Sequence, residues 1–139
     1  MNTLILTLAL ATSAPTDTIV GGVEVTNIEW HNDGATPAQA RIWSNVRHCV
    51  GARVHYLTPF NPAELPTVRW ATGDRLTRVA TGQQLFGAAH GVLTYDGRAA
   101  IILDTEYRDN YGVVAHEILH VLGFDHGDRL FTQCTGAPR

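Results

Sequence analysis

His116–His126 reads HEILHVLGFDH, and no other stretch of the chain says as much about its architecture. His116 and His120 stand four residues apart. On a helix that spacing advances ~6 Å and slightly more than one turn, so both imidazoles leave the same face. Two neutral imidazoles so placed can grip one zinc ion at roughly 2.0–2.1 Å. Glu117 follows the first ligand directly, off the metal axis and within reach of a water held there. Gly123 stands where a helix ends in the left-handed conformation that glycine tolerates. The chain can then turn back and present His126 as a third ligand. Three protein ligands leave a fourth position open, as at a catalytic rather than a closed structural zinc site. Chance produces this combination on the order of once in ten thousand chains of such length and composition, which makes incidental histidines on an amphipathic helix the poorer explanation. Val114, Ile118, Val121 and Leu122 form the apolar stripe of the same helix and are assigned to the core.

The spacing is that of HExxHxxGxxH, complete at every specified position. On these residues the chain resembles the metzincin zinc metallopeptidases, and among them most closely the matrixin catalytic domain. Three further segments are similar to that family: Ala40–Val46 (ARIWSNV) to the end of its first helix, Gly87–His90 (GAAH) to the strand lining the cleft, and Ala100–Asp104 (AIILD) with Glu106 and Tyr107 to the approach to the active-site helix. The resemblance implies an α+β fold, a mixed twisted sheet with a backing helix and a zinc helix. It also implies a zinc endopeptidase acting on proteins or peptides, with Glu117 catalytic and His116, His120 and His126 on one zinc ion. The family's cleft is bordered by an antiparallel edge strand, expected within Phe86–Leu93; an ordinary hairpin strand is the alternative. The family also carries a methionine beneath the metal, whereas the one methionine here is Met1. Cys134, eight residues past His126, either supplies sulfur for that floor or is a disulfide partner. Thirteen residues follow His126, too few for the family's C-terminal helix. A catalytically impaired binding protein of the same fold, stabilised by zinc, is the alternative function.

Composition bounds the remaining choices. With 139 residues, 45 % of them hydrophobic, the chain suits one compact domain, 15–139. Net charge is −3, Lys and Arg total 10, and no basic cluster occurs, so a nucleic-acid partner is not expected. The resemblance implies a protein or peptide substrate, and a monomeric state is expected. Leu4–Ala11 is apolar and Thr12-Ser13-Ala14 offers a cleavage site, so 1–14 reads as a secretory leader and the protein as exported. A buried N-terminal strand in a cytoplasmic protein is the alternative. The apolar run is too short to span a bilayer. Cys49 and Cys134 either pair, which would add roughly 2–4 kcal/mol, or remain free thiols. His31, His48, His55 and His90 lack ligand spacing. Asp74, Asp96, Asp104 and Asp109 lack a calcium-loop pattern and read as turn or surface acids, so Ca2+ has no support beyond them.

Local signals place the other elements. Thr18–Val25 is β-branched and reads as a first strand weakened by Gly21 and Gly22. Asn32–Ala35 is a polar turn. Thr36 caps a helix, with Pro37 in its first turn and Gln39 at the capping-box position. Ile42, Trp43, Val46 and Val50 form its apolar face, and Gly51 ends it. Ala52–Leu57 and Thr67–Trp70 read as strands around the proline-rich loop Thr58–Pro66. Gly73–Gln84 carries no clear pattern. Leu85–Tyr95 and Ala99–Asp104 read as strands flanking an Asp96-Gly97 turn. Asp109 or Asn110 caps the zinc helix, which ends near Leu122.

Overall fold

A computed structural model describes residues 16–51, 68–93 and 98–136. The leader 1–14, the Ala52–Leu57 strand, the Thr58–Pro66 loop, the Asp96-Gly97 turn and His55 lie outside those residues. The chain is α+β, with eight strands and three α-helices among the described residues. None of these helices is long and apolar enough to cross a membrane.

Thr18–Val25 forms two strands where the sequence suggested one. β1 (Asp17–Val20) and β2 (Val23–Thr26) pair antiparallel, with Val20 opposite Val23. Gly21 and Gly22 between them have φ of 55° and 79°. Two successive positive φ values suit the tight hairpin turn whose twist matches the flanking strands, so the glycines make a turn and do not merely weaken a strand. After β3 (Glu29–His31) the chain enters α1 (Pro37–Val50). The capping box is complete: the Gln39 amide donates to Thr36 Oγ1 at 3.1 Å and the Thr36 amide donates to Gln39 Oε1 at 2.8 Å. Ile42, Trp43, Val46 and Val50 are all buried, as their spacing requires.

The patternless stretch holds structure of its own. β4 (Val68–Gly73) runs further than the expected Thr67–Trp70, and β5 (Arg75–Arg78) follows almost at once. The strand expected over Leu85–Tyr95 is broken at Phe86 into β6 (Gln84–Leu85) and β7 (Gly87–Leu93). β8 (Arg98–Asp104) leads through a 3-10 turn at Thr105–Tyr107 into α2 (Tyr111–Val121), and α3 (Leu130–Gln133) closes the described residues.

Two four-stranded sheets result, not one. β1-β2-β5-β6 is wholly antiparallel; β3-β4-β8-β7 is mixed, with β4 and β8 parallel and β7 at its edge. The alternation of side chains across a strand explains how they stack. In β8, Ala99, Ile101 and Leu103 join Trp43, Val46, Val114, Ile118 and Leu122 in the core beneath the helices. Ile102 points the other way, into a second core with Val23, Val25, Leu76 and Ala71. β8 is therefore buried on both faces, which accounts for its nearly unbroken apolar run. The helices cover one face of the mixed sheet and the antiparallel sheet covers the other.

The two longer helices are joined at their N-terminal ends. The Thr36 hydroxyl donates to Asp109 Oδ1 at 2.7 Å, and Gln39 Nε2 donates to the Arg108 carbonyl at 2.7 Å. Gln39 is buried and doubly engaged, so it costs the core little. Asp109 is thereby taken up, and Asn110 caps α2 by accepting from the Val113 amide at 3.0 Å.

Candidate metal centre

α2 is set in rotation by its apolar stripe. Val114, Ile118, Val121 and Leu122 are fully buried, which leaves His116 and His120 half-buried on one flank and turns Glu117 toward β7. The helix stops at Leu122. Gly123 has φ of 99°, its amide donates to the His120 carbonyl at 3.0 Å, and the Phe124 amide donates to the Leu119 carbonyl at 3.0 Å. This pair of bonds is the Schellman motif, and the burial of Leu119 and Phe124 in one core completes it. The reversal carries the chain back along the His116–His120 flank and delivers His126.

The three imidazoles converge. Nε2 of His116 lies 3.0 Å from Nε2 of His126 and 3.2 Å from Nε2 of His120, and the His120 and His126 nitrogens are 2.9 Å apart. Three nitrogens so spaced admit a point about 2 Å from each, about 1 Å outside their plane; tetrahedral zinc–nitrogen bonds would space them by about 3.3 Å. His120 also has its tautomer set, because Nδ1–H donates to the Phe124 carbonyl at 3.0 Å. Its Nε2 then carries a lone pair in the neutral ring. Among the described residues this is the one group of three or more His, Cys, Asp or Glu side chains able to share a metal ion.

Electrostatics favour the metal-binding forms. Burial first, then the neighbouring His120 and His126, lowers the pKa of His116 to about 4. Burial also lowers that of His120, against the pull of the Phe124 carbonyl and Asp125. Both rings are neutral near pH 7, as ligation requires. Glu117 is 6 % exposed, and burial raises its pKa to about 8, with Arg78 pulling weakly the other way. A carboxyl pushed into the neutral range beside a ligand cluster has the affinity of a proton acceptor and donor.

The floor of the site is neither methionine nor cysteine. Cys134 is joined to Cys49 by a disulfide, so the disulfide alternative holds. Beneath the imidazoles stands Phe131 of α3. Its ring centroid lies 4.7 Å from that of His116, 4.9 Å from that of His120 and 5.5 Å from that of His126. Sequence reasoning missed this residue; the adjacent apolar pair Leu130-Phe131 in an otherwise polar tail was its signal. The tail also holds the one-turn helix α3.

The remaining polar candidates have other employment. His31 Nε2 lies 3.0 Å from Thr72 Oγ1, His48 is exposed, and the His90 ring packs against Gly21. Asp74 accepts from Asn27 Nδ2 at 2.8 Å, Asp104 accepts from the Glu106 amide at 3.0 Å, and Asp109 serves Thr36. Asp74 and Asp109 sit in turns, as their sequence context suggested; Asp104 instead ends β8 and is buried, neither a turn nor a surface acid. Asp96 lies outside the described residues. No family model matches the chain, and neither a curated protein nor a solved structure matches it.

Proposed function

We propose that this protein is a zinc-dependent endopeptidase of the metzincin kind, acting on proteins or peptides as a monomer. The observation that carries the reading is the convergence of three Nε2 atoms within 3.2 Å of one another, with a buried carboxyl on the residue after His116. Zinc suits three imidazoles with an open fourth position, and when bound it acidifies water toward neutral pH and polarises a carbonyl.

The chain's own residues supply the rest. Glu117 takes the proton of the attacking water and hands it to the departing amine nitrogen. In the metal-free chain burial raises the pKa of this carboxyl to about 8, and a cation held by the neighbouring imidazoles would draw it down toward the form that accepts a proton. β7 is the edge strand of its sheet and lies beside α2. An extended substrate adds to that edge through backbone hydrogen bonds, which holds the scissile carbonyl over the imidazoles. The Cys49–Cys134 disulfide suits an oxidising compartment and supports an exported protein.

The test is Glu117→Ala in the full chain. Zinc content should stay at the wild-type level while cleavage of casein or gelatin is lost. Cleavage at the wild-type rate would remove Glu117 from the reaction.

A further inference from the structure

Two of the three imidazoles ride on α2, and the third does not. His126 lies in the stretch Asp125–Arg129, every residue of which is exposed. Its position depends on the anchors at either end: buried Phe124 upstream and α3 downstream. α3 has four residues, and a single helical turn is not stable alone. Local bonds help, with the Leu130 amide donating to Asp128 Oδ1 at 2.9 Å and the Cys134 amide donating to the Leu130 carbonyl at 2.8 Å. Burial of Leu130 helps too. The strongest restraint is covalent. Cys134 is bonded to Cys49, 85 residues earlier and near the end of α1. Cys134 follows Phe131 by three residues, about one helical turn. The crosslink thus holds to the body of the domain the same turn that presents Phe131 to all three imidazoles.

We propose that the Cys49–Cys134 disulfide positions Phe131 and, through it, His126, so that the metal affinity of the site depends on the crosslink. Phe131 is a positioning residue: it touches the ligands and not the reacting atoms. The inference rests on the reading of the three histidines as a metal centre. Residues that orient metal ligands from outside the coordination sphere typically change affinity by about 10- to 100-fold when lost, which sets the expected scale.

The test measures zinc dissociation constants by competition with a chromophoric chelator, on the full chain, for wild type, Cys49→Ala/Cys134→Ala, Phe131→Ala and Phe131→Met. Cobalt-substituted spectra report the geometry of the ligand set independently of any activity. Wild type should bind one zinc. The double alanine variant and Phe131→Ala should each bind about tenfold more weakly and show altered cobalt spectra. Phe131→Met, which keeps an apolar and polarisable floor, should recover to within about threefold of wild type. If the double alanine variant does not fold, Cys49→Val/Cys134→Val, which fills the same apolar space without the bond, takes its place, and the contrast between Phe131→Ala and Phe131→Met, both with the disulfide intact, tests the Phe131 step by itself. Variants that bind zinc within about twofold of wild type, with unchanged cobalt spectra, would overturn the inference and leave the metal centre standing. A wild-type chain that binds no zinc would overturn the metal centre itself, and this inference with it.

Discussion

Gly87 of the edge strand lies directly against Glu117. A methyl group on its Cα would stand 2.9 Å from Glu117 Cγ, 3.0 Å from Oε2 and 3.1 Å from Val113 Cγ1. The absence of a side chain lets the backbone of β7 close over the carboxyl, which is what removes it from water and raises its pKa. The strand proposed to receive substrate and the carboxyl proposed as general base therefore meet at one residue.

Gly87→Ala tests this closeness. The added methyl must displace the Glu117 side chain or lift the strand. Misplacing a catalytic group by about 1 Å costs on the order of 100-fold in rate. Turnover should fall by about 10- to 100-fold with zinc affinity within about twofold of wild type, measured by peptide cleavage and metal titration on the same preparation. Wild-type turnover would show that β7 does not constrain the base.

The metal-free protein should show a pH signature of Glu117. Its pKa stands at about 8 in the folded chain against 4.5 ordinarily. Between those values the folded state holds a proton that the unfolded state has released, so this group's contribution to stability falls as pH rises through the window. His116 and His120 act with the opposite sign: their lowered pKa values withdraw stability as pH falls below 6.5. Glu117→Gln removes the first dependence and keeps the second. Denaturant titrations in chelator should find Glu117→Gln more stable than wild type by a margin that grows from pH 4.5 to about 8 and reaches on the order of a few kcal/mol. A margin independent of pH would contradict the burial of an ionisable carboxyl.

Thr36 joins the two longer helices. It caps α1 and donates to Asp109 at the entrance to α2. Thr36→Ala should lower stability by about 1–2 kcal/mol, and Thr36→Ser, which keeps the hydroxyl, by a few tenths at most. Equal losses for the two would assign the effect to the methyl group.

What was legible beforehand was local. The i, i+4 histidines, the glycine and the third histidine read out directly, because a helix and its Schellman stop are decided within a dozen residues. Thr36, Gln39 and Trp43 located α1 for the same reason. Pairings distant in the chain were not legible: nothing near Val25 announces that it will face Leu76, so the division of the strands into two sheets had no sequence signal. Gly21 and Gly22 carry a sequence signal for a weak strand, because a glycine's cost to a strand is local, whereas the positive φ that makes them a hairpin turn depends on the pairing of β1 with β2. Phe131 was missed because a helix of one turn shows no periodicity.

The central claim is that three imidazoles hold one metal ion, and metal analysis tests it most directly. Wild type and His126→Ala would be purified without chelator, loaded with zinc, desalted and measured for zinc per chain. Wild type should retain one equivalent, and His126→Ala should retain little or none because its remaining two ligands lie on α2 alone. No bound zinc in the wild type, or an equal content in the variant, would contradict a three-histidine centre.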